Sequence, residues 1–238
     1  MANHEQDNPS ETIDAAHGRG ILAWRPATHR GSAGRSTGLA PIGLGTRRDG
    51  FAFLPSSAPG DAPLPLLVML HGAGASASDV MPMVSDFAER LSVLVLAPDS
   101  RGATWDVIEH EYGPDVAFLD RALGSLSRNC AVDPRRVAIA GFSDGASYAL
   151  SLGLTNGALF SDILAFSPGF AAPTQTEDTP RIFLSHGRQD PVLPIERCGR
   201  RVANGLKRAG YDLEYREFSG GHVVPTDIVD AGFRRFLS

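Results

Sequence analysis

The 238-residue sequence has a formal net charge of −5, with 42% hydrophobic and 21% charged residues, which fits one soluble unit with a sizeable core. The acidic balance leaves no basic surplus to neutralise phosphates, so it argues against nucleic acid or an anionic membrane as the main partner. Cys130 and Cys198, the two cysteines, lack C-x-x-C spacing, cannot build a disulfide framework and read as reduced thiols. The start of the chain, MANHEQDNPSETIDAAHGRG, has no basic region leading into an apolar one, so no signal peptide is visible. No apolar run approaches membrane-spanning length, and the expected location is the cytoplasm.

In chain order, residues 1 to about 19 read as disordered or loosely attached, because they are polar and poor in apolar side chains. Gly20–Arg25 reads as a strand, Thr28–Thr37 as a Gly/Ser/Arg loop and Gly50–Leu54 as a short strand. Residues 1–40 are therefore set apart as a peripheral segment, with the main folded domain over 41–238. The continuous apolar run Pro65–His71 reads as a strand buried on both faces. A Gly-rich loop follows, then a helix from Asp79 to Arg90 capped by Ser78, with Pro82 near its first turn. Val93–Ala97 is the next strand, and Ser100–Gly113 is a loop carrying Trp105. Pro114–Asn129 is a helix with Val116, Leu119, Leu123 and Leu126 on one face, and Asp133-Pro134 is a turn.

Arg136–Gly141 is a short strand, and a helix over Asp144–Thr155 begins directly after Ser143. Further strands are expected at Asp162–Ser167, Arg181–His186 and Leu213–Phe218, with helices at Pro194–Ala209 and from Pro225 onward. Strands alternating with helices predict βαβ units: a mostly parallel central sheet with helices on both faces.

Within that pattern, Gly141-Phe142-Ser143-Asp144-Gly145 is a G-x-S-x-G elbow, in which a strand turns at once into a helix and lifts the serine out of the sheet. A serine hydroxyl needs a neighbouring base to act as a nucleophile at neutral pH. His222, in Ser219-Gly220-Gly221-His222 after the last strand, can serve as that base. Asp190, in the loop after the Arg181–His186 strand, can orient the histidine. The order Ser143, Asp190, His222 places each group just after a strand, where such sheets assemble their sites. Backbone N–H groups of Ala73 and Asp144 are the candidate oxyanion donors. His186 and His71 read as structural, although His186 could compete as the base. Met81, Met83, Trp105, Phe170, Val192 and Val223 are candidate acyl-pocket walls.

At these residues the chain resembles the α/β-hydrolases, and within them the phospholipase/carboxylesterase family of small serine esterases. LLVMLHGAG, APDS, VDPRRVAIAGFSDGASYALSLGL, HGRQDPVLP and GGHVVP carry the resemblance, over roughly residues 65 to 225. It implies the α/β-hydrolase fold, Ser143 as nucleophile, Asp190 as acid, His222 as base, and Ala73 with Asp144 as oxyanion donors. Poly-hydroxyalkanoate depolymerase-like and feruloyl esterases look similar in the same segments. Asp144 departs from many relatives, which carry a neutral residue there; a carboxylate turned inward would oppose a developing oxyanion.

The connection from Gly169 to Pro180 is too short for a large cap domain, so the site is expected to be open. It would take a small acyl ester of short to medium chain length, with thioesters and lysophospholipids as alternatives. No metal motif is present, no cofactor is required, and a homodimer is left open. The main rival of another class is a dinucleotide-binding protein. Gly72-Ala73-Gly74-Ala75-Ser76-Ala77 fits G-x-G-x-x-A after a strand, with Asp99 ending the next one. That reading leaves Ser143, Asp190 and His222 without a purpose. A non-catalytic binding protein on the same fold is the third class.

Overall fold

A computed structural model describes residues 9–26, 28, 37–58, 62–109 and 111–238. One eight-stranded open sheet organises them. Its strands are β1 (Gly38–Pro41), β2 (Gly50–Leu54), β3 (Leu64–Leu70), β4 (Leu94–Pro98), β5 (Val132–Phe142), β6 (Asp162–Phe166), β7 (Arg181–Gly187) and β8 (Leu213–Phe218). The spatial order is β1-β2-β4-β3-β5-β6-β7-β8. β1 and β2 join antiparallel, and β2 meets β4 antiparallel. From β4 onward every pairing is parallel.

Seven helices accompany the sheet among the described residues: α1 (Pro9–His17), α2 (Ala77–Leu91), α3 (Asp106–Glu109), α4 (Pro114–Asn129), α5 (Asp144–Thr155), α6 (Gly199–Arg208) and α7 (Thr226–Leu237). The period-two alternation of β3 sorts its side chains between two cores. Leu66, Val68 and Leu70 join the face covered by α4, α5 and α6, with Leu119, Tyr148 and Val202. Leu67 and Met69 join the face covered by α2 and α7, with Val80, Phe87 and Phe233. This two-sided burial explains why the central strands read as unbroken apolar runs. Among the described residues no helix is long and apolar enough to cross a membrane.

Several boundaries differ from the sequence reading. Residues 9–17 form α1, which is anchored where the His17 Nε2 meets Asp120 Oδ2 at 2.6 Å; residues 1–8 lie outside the described residues. Gly20–Arg25 is extended but joins no ladder. Side chains hold it instead: Asn156 accepts from the Leu22 N–H at 2.9 Å, and Asp120 accepts from Ala23 and Trp24, both at 2.8 Å. Leu22 and Trp24 are core residues, and an expected boundary at residue 40 falls inside β1. The described residues before 40 thus belong to the same folded unit, while most of the Thr28–Thr37 loop lies outside the description.

α2 starts two residues early. Its cap is Ser76, not Ser78, and the Asp79 carboxylate accepts from the Ser76 N–H at 2.8 Å. Pro82 consequently sits in the second turn, where its missing N–H leaves the Ser78 carbonyl without a helical donor. The 100–113 loop contains the single turn α3, residues 133–134 lie inside β5, and α6 begins only at Gly199 after a run of turns.

Candidate active site

The elbow is built by close backbone contact. Ser143 has φ 58° and ψ −120°, a conformation that costs roughly 1–3 kcal/mol for a residue with a side chain. Its N–H donates to the Phe166 carbonyl at 3.0 Å, and its carbonyl accepts from Ala146 and Ser147 at 3.0 and 3.1 Å. A Cβ on Gly141 would lie 2.1 Å from the Gly145 carbonyl oxygen, and one on Gly145 would lie 2.4 Å from that of Leu70. Only glycine permits β5, α5 and the end of β3 to approach so closely.

Ser143, Asp190 and His222 come together from three separate loops. His222 Nε2 lies 2.9 Å from Ser143 Oγ, and His222 Nδ1 lies 2.6 Å from Asp190 Oδ2. With Nδ1–H donating to the carboxylate, Nε2 is left as acceptor for the serine hydroxyl. Burial works against ionisation of Asp190, but hydrogen bonds from His222, Leu193 and Val192 outweigh it and hold the carboxyl below its ordinary value. The other carboxylate oxygen accepts the N–H groups of Val192 and Leu193, both at 2.9 Å.

His186 is a different kind of histidine. It is fully buried, and its Nε2 lies 2.8 Å from the Leu193 carbonyl and 3.3 Å from Asp190 Oδ2. Burial pushes its pKa down, and its Nε2–H donates to the Leu193 carbonyl, bracing the loop that carries Asp190. His71 is equally buried. Its Nδ1 donates to the Gly72 carbonyl at 2.8 Å and its Nε2 accepts the Ser100 N–H at 3.0 Å. Burial lowers its pKa too. It braces the Gly72–Gly74 loop, as the sequence reading held.

That loop abuts Ser143: a Cβ on Gly72 would lie 3.3 Å from Ser143 Cβ. Residues 100–105 clamp it. Gly74 N–H donates to the Ala103 carbonyl at 2.7 Å, and Trp105 Nε1 donates to that of His71 at 2.8 Å. Ala73 is exposed at the loop's tip, and the Asp144 N–H belongs to the first residue of α5, whose amides have no helical acceptor. The Asp144 carboxylate does not hang free beside the serine, because Thr104 Oγ1 donates to its Oδ2 at 2.8 Å.

The segment that carries Thr104 is tied down on either side by the buried Asp115 and the half-buried Asp106. Asp115 accepts the Arg101 and Asp106 N–H groups at 2.6 and 2.8 Å, and Asp106 accepts those of Gly113 and Asp115, both at 2.9 Å. Burial, reinforced by the charge of Asp106, pushes the Asp115 pKa up to about 6.

The expected pocket walls divide. Met81 is 4% exposed and Trp105 1%, so both belong to the core. Trp105 stacks on Tyr148 with centroids 5.1 Å apart. Met83 and Phe170 are half-buried, Met83 against the α2/α7 core. Val192 (60% exposed) and Val223 (52%) stand beside Asp190 and His222 and present apolar surface at the mouth. Two supports were missed from the sequence. Phe142 packs on the His222 ring with centroids 4.8 Å apart, and Gln189 Oε1 accepts the Gly220 N–H at 2.6 Å, tying the Asp190 loop to the His222 loop. Phe142 had a signal, since it is the second residue of the elbow motif; Gln189 had none.

The dinucleotide reading fails on charge. Asp79 and Asp99 accept the N–H groups of Ser76 and Ala77 at 2.8 and 2.7 Å, so two carboxylates occupy the helix end where a pyrophosphate would sit.

A model of the phospholipase/carboxylesterase family matches residues 117–231. The chain has the α/β-hydrolase fold, and over this stretch, just under half of its length, it is similar to that family. Among curated relatives, acyl-protein thioesterase 1 of Gibberella zeae is 32% identical to this chain over 117 residues, covering 44% of this chain and 49% of the relative. Feruloyl esterase C of Emericella nidulans is 29% identical over 138 residues, covering 58% and 46%. The chain spans about half the length of the curated relatives it matches. In fold it resembles the S-formylglutathione hydrolase of Staphylococcus aureus, with a TM-score of 0.67 at 17% identity over 87% of this chain and all of the other. The phospholipase/carboxylesterase of Dyadobacter fermentans superposes with a TM-score of 0.61 at 18% identity, over 88% and 100%.

Proposed function

We propose that this hydrolase cleaves carboxylic esters of short to medium acyl chains through an acyl-enzyme on Ser143. The observation that carries the reading is the unbroken hydrogen-bonded series Ser143–His222–Asp190, at 2.9 and 2.6 Å. His222 takes the serine proton as Ser143 Oγ attacks the acyl carbon, then gives it to the departing alcohol. Asp190 holds the Nδ1–H tautomer and balances the imidazolium. The Ala73 and Asp144 N–H groups stabilise the oxyanion. A water, deprotonated by His222, then attacks the acyl-enzyme and frees the acid, and the enzyme returns to its starting state. No cofactor enters these steps. The exposed Val192 and Val223 support an open, apolar mouth.

A thioester of an acylated protein is the second reading, favoured by the acyl-protein thioesterase match; the same steps apply with a thiol as leaving group. The test is turnover of p-nitrophenyl acetate and butyrate beside an acyl thioester and a feruloyl ester. Ser143→Ala should lower kcat by at least ~10,000-fold on every substrate turned over. Equal rates in the two proteins would refute the proposal.

A further inference from the structure

On the α6 side of the sheet, a groove of about 420 Å³ runs between α6 and the segment after β6. Leu154, Phe170, Val202, Leu206 and Tyr211 make its apolar lining, and Arg201 and Arg208 stand at its rim. Its size lies within the range of small-molecule sites.

The groove is connected to the elbow by backbone. The segment after β6 tracks α5 outward from Ser143: Gly169 N–H donates to Ser147 Oγ at 2.9 Å, Ala172 to Ser151 Oγ at 2.9 Å, and Thr174 to Thr155 Oγ1 at 3.2 Å. At 1.5 Å per helical residue, Ser147 lies about 6 Å and Leu154 about 16 Å along α5 from Ser143. Phe170 therefore stands near the proximal end, and the arginines stand on the helix that forms the opposite wall.

Two features of α6 fit a ligand and have no structural role among the described residues. Gly205 sits inside the helix without a positive φ, and a Cβ there would meet no atom within 4 Å. A glycine in a helix interior lowers stability relative to alanine, so nothing in the packing explains it; its effect is to leave the groove open. Arg201 and Arg208 are seven residues apart, two turns on one face, and neither makes an ion pair or hydrogen bond among the described residues. Arg200, by contrast, is bound by Glu196 and Glu217. In a chain of net charge −5, this is a local reversal of sign.

We infer that this groove seats the far end of the ester substrate, an apolar chain of medium length ending in a carboxylate, with Arg201 and Arg208 receiving the charge. The inference rests on Ser143 being the acylated residue and adds the substrate class. Guanidinium groups bind carboxylates in paired hydrogen bonds, and a chain between Phe170 and Leu206 would cover Gly205.

The test compares two p-nitrophenyl esters of suberic acid, one with its far carboxylate free and one with it methylated. The wild type should prefer the free acid by about tenfold in kcat/KM, through KM, and 0.5 M NaCl should erode that preference. The double variant Arg201→Glu/Arg208→Glu should invert it, while Arg128→Glu, an exposed arginine on α4, should keep the wild-type ratio. Gly205→Phe should raise KM for both suberates relative to p-nitrophenyl acetate. A wild-type ratio near one, or the same ratio in the double variant, would overturn the inference. If p-nitrophenyl acetate is still hydrolysed in a Ser143-dependent way, only the groove assignment falls; if it is not, the serine-hydrolase reading falls with it.

Discussion

Replacing Gly145 by alanine should separate the oxyanion loop from the nucleophile. The new Cβ would lie 2.4 Å from the Leu70 carbonyl oxygen and 2.5 Å from that of His71. Comfortable non-bonded separations are about 3.5 Å, so the end of β3 must retreat by roughly 1 Å. The atoms that would be pushed are backbone in a central strand, so no side chain can rotate away to relieve the overlap. Overpacking of this kind costs about 1–3 kcal/mol of stability. The Gly72–Gly74 loop continues directly from His71, so the displacement is passed to the Ala73 N–H. A 1 Å error at a reacting centre can lower the rate about 100-fold. The assay is kcat/KM on p-nitrophenyl acetate, the rate of Ser143 labelling by a fluorophosphonate, and the urea midpoint. Gly124→Ala in α4 is the control, because a Cβ there meets nothing within 4 Å; it should raise stability by about 0.5–1 kcal/mol with turnover unchanged. Wild-type labelling and turnover in Gly145→Ala would refute the claim that this glycine sets the distance between loop and serine.

Thr104→Val should release the Asp144 carboxylate. At an effective dielectric of about 20, moving that charge from about 10 to about 7 Å from an oxyanion raises the barrier by roughly 0.7 kcal/mol, about a threefold fall in kcat. That fall should vanish in an Asp144→Asn background, as read by a double-mutant cycle. For Asp115, the folded pKa of about 6 lies above the ordinary 3.8. The folded protein therefore holds the extra proton between those values, and stability falls as pH rises through that window. Urea unfolding at pH 4 and pH 8 should show the wild type losing up to about 3 kcal/mol relative to Asp115→Asn across the range; parallel curves would rule the effect out. His186→Leu leaves the Leu193 carbonyl short of a donor and should cost about 1–3 kcal/mol. His186→Gln, whose amide can donate from nearly the same place, should recover part of it.

Much of this molecule was legible in one dimension because its signals are local. β2, α4, α5 and β8 have the limits their sequence patterns indicate, since Gly and Pro punctuation and apolar periodicity act within a few residues. Gly141, Ser143 and Gly145 announce the elbow for the same reason, as the steric demand lies between adjacent elements. Asp190 and His222 could be chosen from chain order, because a parallel sheet delivers loops to one edge. Long-range packing decided the rest. Gly20–Arg25 has the composition of a strand, yet Asp120 and Asn156 bind its amides before any neighbouring strand can. Met81 and Trp105 have the chemistry of pocket walls, but burial of Met81 in the α2/α7 core and of Trp105 against Tyr148 is a property of distant segments. The direction of the Asp144 side chain was open in the sequence, and it is answered by Thr104, forty residues earlier in the chain. Sequence determines which groups are available and which backbone turns are permitted. Tertiary structure alone decides which donor reaches a given acceptor first, because that choice depends on distances between segments the chain order does not relate.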